Sequence, residues 1–390
     1  MAMGGVALAG ATGAAVRPKI AAVTTVYYTV SHADVIITKF LEGCRFLDVD
    51  FKPQVDIASL YIEQKPPQDI GMGLAAKHGV PVFPTIEGAL TLGGKDLAVD
   101  GVLLIGEHGN YPYNELGQHQ YPRKRFFDEA AAVIRRSGRP IPVFNDKHLS
   151  YAWAEAKAMY DTARELKLPF LAGSSIPVSW RKPDLHFRPE TDLTDALGVG
   201  YGGTEAYGFH ALEGLQCMLE YRRGGETGVK SVTCLSGDAV WEAGEAGRWN
   251  WDLLRAALAS STKPELGTAP IAEIRGKTKN PDVFLIEYRD GFRAACLMLY
   301  GLTTDFLFAG KIRGQEAPAA TNFWLQEGLP FAHFARLSQQ IETMFLSGKP
   351  PYPVERTLLT TGILDAAMHS KADGGRRRDT PELDVRYRRS

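Results

Sequence analysis

Apolar positions in the first half of the chain fall into short β-branched runs separated by stretches of helical period. Lys19–Val26 (KIAAVTTV) predicts a buried strand. Ser31–Gly43 places Val35, Ile36, Phe40 and Leu41 on one face, which predicts a helix capped by Ser31 and ended by Gly43. The same reading gives strands at Val55–Ile62, Val80–Phe83, Asp100–Ile105, Ile141–Phe144 and Pro169–Gly173, and helices at Ile70–His78, Arg123–Arg136 and Leu149–Leu166. Six strands alternating with helices over residues 19–173 predict a Rossmann-like doubly wound domain with a parallel sheet.

After Gly173 the rhythm changes. Ser174–Gly203 is rich in Pro, Asp and Gly and reads as an irregular connection, followed by a helix at Glu205–Tyr221. Apolar runs at Val229–Leu235, Val283–Tyr288, Arg293–Tyr300 and Thr304–Ile312, with turns at Asp290-Gly291 and Gly301, predict an open, mostly antiparallel sheet. Phe331–Leu346 and Val354–Ala372 read as terminal helices, and Leu383–Tyr387 as a short strand in a basic tail. Residues 174–390 are therefore expected to form a second α/β domain.

Composition narrows this picture. Across 390 residues, 44 Lys+Arg oppose 45 Asp+Glu, 45% of positions are hydrophobic and 23% charged. That is a globular balance, not a disordered or coiled-coil one. The net charge of -1 lacks the basic excess of a general nucleic-acid binder. Cys44, Cys217, Cys234 and Cys296 are scattered, with no CxxC pair, and read as reduced thiols. No apolar run is long enough to span a membrane. Residues 1–18 are small and apolar, and their glycines precede the first strand, so they do not form a nucleotide loop. They read as a floppy leader on a cytoplasmic protein or, in an alternative periplasmic reading, as a truncated export signal without its basic start.

The order of elements resembles the glucose–fructose oxidoreductase / inositol dehydrogenase (Gfo/Idh/MocA) family over about Lys19 to Tyr387. Ala75–Gly88 (AAKHGVPVFPTIEG), Val99–His108 (VDGVLLIGEH) and Gly348–Ser370 carry the likeness. So do Asn145-Asp146-Lys147-His148, where the family has Glu-Lys-Pro, and Ala206–Leu212 (AYGFHAL), where it has Asp and His four apart. The resemblance implies an oxidoreductase acting on a hydroxyl of a sugar, glycoside or cyclitol with NAD or NADP. It also implies a homo-oligomer built through the second sheet. Lys147 would polarise the hydroxyl and His210 would move its proton, since alkoxide formation needs both a base and a nearby cation.

Three departures bear on that expectation. Where the family has G-x-G-x-x-G, this chain has Thr24, Val26 and Thr29, with Tyr27 and Tyr28 alongside. Side chains there obstruct a close approach of pyrophosphate to backbone, although the helix N-terminus still offers N–H groups. Ala206 replaces the family's Asp, and His148 its Pro. Candidate cofactor contacts are Thr24, Val26, Tyr27, His32, Glu63 and Glu107, with Glu63 as the ribose acid.

Histidines follow predicted strands at His32, His108 and His148, and His210 would face them. Such a set suits acid/base work by Lys147, His210, His148 and His108, or a divalent metal held by His108, His148 and His210. Tyr111, Trp180, Arg181 and Tyr207 are candidate sugar contacts. A non-redox lyase, isomerase or hydrolase in the same crevice, or a non-catalytic binding protein, are the alternatives. GxSxG and GxxxxGK[ST] are absent, which argues against serine-hydrolase and P-loop chemistry.

Overall fold

The structure is a computed structural model that describes residues 17–389. The leader reading falls outside them, apart from Arg17 and Pro18. The first half contains β1 (Lys19–Thr24), α1 (His32–Glu42), β2 (Cys44–Phe46), β3 (Val49–Phe51), β4 (Asp56–Ile62), α2 (Gly71–His78) and α3 (Ile86–Thr91). It continues with β5 (Gly101–Ile105), α4 (Arg123–Ser137), β6 (Val143–Asp146), α5 (Trp153–Glu165) and β7 (Phe170–Gly173).

Five of these strands form a parallel sheet in the order β4-β1-β5-β6-β7. Every residue of β5, β6 and β7 is buried, as expected of strands covered on both faces. Ser31 caps α1 by accepting from Asp34 N–H, as the sequence predicts. The strand expected at Val80–Phe83 makes only one bridge, Leu60 to Val82. Pro81 and Pro84 cannot donate to a ladder, and they stop it there. The β2–β3 hairpin was not read from the sequence.

The second half contains β8 (Trp180–Lys182), β9 (Leu193–Gly200), α6 (Gly208–Leu219), β10 (Val229–Ser236), α7 (Asp238–Glu245), α8 (Trp251–Ala259) and α9 (Ile271–Lys277). It ends with β11 (Asp282–Tyr288), β12 (Arg293–Met298), β13 (Leu307–Ile312), β14 (Ala319–Trp324), α10 (Ala332–Ser347), α11 (Glu355–Ala372) and β15 (Arg378–Asp379). The sheet runs β15-β10-β11-β12-β9-β13-β14-β8, and β12–β9 is its parallel pair. The turn at Gly291 (φ +86°) closes the β11–β12 hairpin as read.

Two sequence expectations are corrected here. Ser174–Gly203 is not irregular throughout, because it supplies β8 and the central strand β9. Leu383–Tyr387 is not a strand: Tyr387 makes one bridge to Glu226, and Arg378–Asp379 pairs with β10 instead.

Helices pack on both faces of the large sheet. On one face lie α6 and α11, through Leu212, Leu215, Leu359 and Ile363. On the other lie α7 and α8, through Val240, Trp241, Leu254 and Leu258 against Leu197, Val199 and Leu297, with Ile274 of α9 in the same cluster. The face on which an oligomer contact was expected therefore carries the chain's own helices. Helix α10 returns to the first sheet, where Ile341, Met344 and Phe345 pack with Ile20, Ala22 and Leu103.

The two sheets are locked together at the N-terminal end of α11. Arg356 lies 3.5 Å from Glu213 of α6 and 3.4 Å from Glu220, which caps that helix, all fully buried. Thr357 Oγ1 donates to Ala172 O of β7 at 3.0 Å. This seam fixes α6 over the carboxyl ends of β6 and β7.

Candidate active site

In a doubly wound sheet, ligands bind beyond the carboxyl ends of the strands. Four strand ends converge here: β1 leads to His32, β5 to Glu107 and His108, β6 to Asp146 and Lys147, and β7 to Ser174. His210 arrives on α6 and His333 on α10. Between them lies a cavity of about 530 Å³, lined among others by His32, Glu107, His108, Lys147, His210 and His333.

Lys147 sits in the left-handed region (φ +66°), and its N–H donates to Gly173 O at 3.1 Å. That kink ends β6 and points the side chain into the crevice. Its Nζ donates to Ala206 O at 3.0 Å and to His210 Nε2 at 2.9 Å, and lies 3.5 Å from Glu107 Oε1. The backbone carbonyl of Ala206 thus meets the lysine where the resembled family would offer a carboxylate.

His210 Nδ1 is 2.6 Å from Ser174 Oγ. With Nε2 accepting from the ammonium, the network assigns the ring proton to Nδ1. Burial, then the Lys147 charge, pushes the His210 pKa well below its usual value, so the imidazole is held neutral with its Nε2 lone pair facing the lysine.

Burial alone would raise Glu107, but Lys147 and Arg123 outweigh it and hold the carboxylate well below its ordinary range. His108, also in the left-handed region (φ +66°), is lowered to about 4 by burial and by the neighbouring His32. His32 Nδ1 is 2.6 Å from Asp146 Oδ2, which fixes its ring.

Other candidates lie elsewhere. His148 is beneath the cavity, 3.1 Å from Arg123 Nη1 and 3.4 Å from Glu205 Oε1, and burial lowers it to about 4. Arg123 also pairs with Glu107, so it ties His148 to the cavity wall. Tyr207 lines the cavity. Trp180 donates to Asp48 at 2.7 Å beneath the Arg336 guanidinium, and Arg181 donates to Leu185 O at 2.8 Å, so neither side chain is among the cavity walls.

Asp146, Ser174, Tyr121, Arg123 and His333 were missed. The strand-end rule that singled out His32, His108 and His148 also covers Asp146 and Ser174, which end β6 and follow β7. His333 comes from a helix nearly two hundred residues away and carries no local signal.

Across the crevice, beyond β1 and β4, the polar groups bond to one another. Thr24 Oγ1 donates to Val26 O (3.0 Å) and Ile105 O (3.1 Å), and Thr25 Oγ1 to Glu107 O (2.6 Å). Val26 and Tyr27 are buried, with Tyr27 Oη 2.8 Å from Thr38 Oγ1. Asp34 accepts from Val30 N–H at 2.8 Å. Glu63 pairs with Arg125 and accepts from Tyr111 Oη at 3.0 Å.

No protein-family model and no curated protein matches this chain. Solved structures do. GenD2 from gentamicin A biosynthesis, in complex with NAD, superposes with a TM-score of 0.58 at 16% identity, covering 93% of this chain and 96% of its own. An oxidoreductase from Agrobacterium radiobacter, in complex with NAD+, L-tartaric acid and magnesium, gives 0.57 at 13% identity over 94% and 100%. The scyllo-inositol dehydrogenase of Lactobacillus casei gives 0.56 at 10% identity over 93% and 98%. The chain has the Gfo/Idh/MocA fold.

The β1–β4 end of this crevice is built against a dinucleotide. A bound dinucleotide would set its pyrophosphate at the first βα turn and its ribose on the acid closing the second sheet strand. At that turn stand Thr24, Val26 and Thr29 in place of glycines, with Tyr27 buried beside them. The helix end is already answered by Ser31 and by the negative Asp34, and the acid Glu63 is engaged by Arg125 and Tyr111. These residues do not fit the adenosine and pyrophosphate half. Among the described residues, no group of three or more His, Cys, Asp or Glu side chains is placed to hold a metal ion. The set His108, His148, His210 is not brought together, because His148 faces Arg123 and Phe209.

Proposed function

We propose that this chain is an acid–base enzyme on a sugar-dehydrogenase scaffold, acting at a hydroxyl-bearing carbon of a sugar, glycoside or cyclitol. The observation that carries the reading is the 2.9 Å contact between Lys147 Nζ and a neutral His210 Nε2 at the wall of the cavity. A substrate hydroxyl entering there displaces one partner of the lysine. In a substrate with a neighbouring carbonyl, His210 Nε2 takes the proton of the hydroxyl-bearing carbon, the C–H electron pair becomes the C=C of an enediolate, and the Lys147 ammonium stabilises the carbonyl oxygen left negative, while Ser174 Oγ holds the opposite ring nitrogen. Glu107 keeps the lysine aimed. His32, His108 and Tyr207 supply hydrogen-bonding walls suited to a polyol.

On this reading the chain acts as a lyase or isomerase that moves protons on carbohydrates. A second reading, an NAD(P)-dependent oxidoreductase at the same hydroxyl, is favoured by the NAD-bound fold neighbours. The two part on one assay. A panel of sugars, cyclitols and their oxidised derivatives is followed by NMR in D₂O, with and without NAD(P). Proton exchange or conversion without dinucleotide, lost in Lys147→Ala and His210→Asn, is the expected outcome. Conversion only with added NAD(P) shifts the chain to the second reading. Turnover undiminished by Lys147→Ala sinks both.

A further inference from the structure

The segment between β5 and α4, residues 106–122, does more than connect them. It leaves β5, crosses the carboxyl end of β1 and reaches the loop after β4. Thr25 Oγ1 holds it through Glu107 O at 2.6 Å. Gln64 reads the backbone of Asn110 twice, accepting from its N–H at 2.9 Å and donating to its carbonyl at 3.3 Å. Tyr111 Oη then donates to Glu63 at 3.0 Å, on the acid that would otherwise face a ribose. Gly109 (φ +101°) passes so close that a Cβ there would lie 2.8 Å from the Tyr111 ring and 3.2 Å from Gln64 Oε1.

The far end is anchored as well. Gln118 Nε2 donates to Tyr151 O at 2.6 Å and to Asp365 Oδ1 of α11 at 2.8 Å. In between, the His119 ring lies against Tyr113 (4.2 Å) and Tyr121 (3.9 Å), and its Nε2 is 3.0 Å from Tyr111 O. Backbone bonds Asn114 N to Gln118 O and Gln120 N to Pro112 O close the loop on itself. It is a folded element with fixed seats at both ends.

We infer that this segment is the permanent occupant of the dinucleotide groove, a plug made by the chain itself, and that the cavity beyond it takes its substrate alone. Its inner side, Glu107, His108 and Tyr121, forms one wall of that cavity. The segment thus takes the place that a bound cofactor would hold as the wall of the substrate site. This deepens the non-redox reading but does not depend on Lys147 or His210, so the two can fail separately.

The test combines binding with backbone exchange on the full chain. NAD+, NADH, NADP+ and NADPH are each titrated to millimolar concentration by calorimetry, with NADH and NADPH fluorescence as a second readout. Amide hydrogen exchange of residues 107–121 is followed in parallel. The expected result is no saturable binding, with Asn110, Asn114 and Gln120 amides protected and Asn110 losing protection in Gln64→Ala. Saturable binding accompanied by loss of that protection would show a movable lid and overturn the plug. Binding with protection unchanged would overturn it too, by placing the cofactor elsewhere. An unprotected segment without binding would show that the groove is merely unused, and the inference would be wrong.

Discussion

The two ends of the crevice are built from the same sheet but treat their polar groups in opposite ways. At the β6–β7 end, Lys147, His210 and Glu107 meet around a cavity into which a ligand can enter. At the β1–β4 end, Thr24, Thr25, Asp34, Glu63 and Gln64 each find a partner within the chain. The difference follows from what each end requires. An acid–base pair needs two strand ends and one helix held in register, which the Arg356 seam supplies. A pyrophosphate cradle needs bare backbone at a single turn, which three side chains abolish. One end of such a groove can therefore be closed while the other stays serviceable.

Substitution at the open end gives the largest expected effect. Lys147→Ala should cut turnover on a confirmed substrate by roughly 10²–10⁴-fold, with the fold unchanged by circular dichroism. Equal turnover would erase the contrast between the two ends. Next comes Arg123→Met, at the junction of the two. It strands the buried Glu107 and should cost roughly 3–5 kcal/mol in urea unfolding. A loss under ~1 kcal/mol would mean that Arg123 does not join them.

Acid should then act chiefly through the open end. His108 and His148, both lowered to about 4, and His210 and His333, also lowered, are neutral when folded. The unfolded chain takes up those protons first, below about 6.5. Stability is therefore complete above that pH and is lost progressively as pH falls from about 6.5 towards 4. Urea midpoints measured at neutral pH and in mild acid check this; no fall across that window would contradict the buried, neutral set. Smallest is Tyr111→Phe at the closed end, which removes one hydrogen bond to Glu63 and should cost about 1 kcal/mol. Its sharper readout is faster amide exchange at Asn110.

Much of the doubly wound half was legible because strands buried on both faces read as apolar runs. His32 and His108 were legible because such a sheet presents its chemistry at strand ends, and Lys147 through the family resemblance of the segment around it. What escaped was set by tertiary contact. β9 (LTDALGVG) has the small residues of a loop, yet it lies mid-sheet. A Cβ at Gly200 would stand 2.7 Å from that of Ala211, and one at Gly198 3.2 Å from that of Leu215, so its glycines let α6 settle on the strand. His333 escaped because α10 crosses back to the first sheet. Glu63 was read as a free ribose acid because nothing local announces that Tyr111, far along the chain, will claim it.

The helices α7, α8 and α9 carry a last consequence. They lay Trp241, Leu254 and Leu258 on a sheet face that would otherwise expose Leu197, Val199 and Leu297 to water. The part of the face these helices cover has its apolar side chains buried within one chain, and stability that rests on such burial does not depend on protein concentration. The unfolding midpoint should stay in place as the protein is diluted a thousandfold, whereas a fold completed only by a second copy would soften with each step.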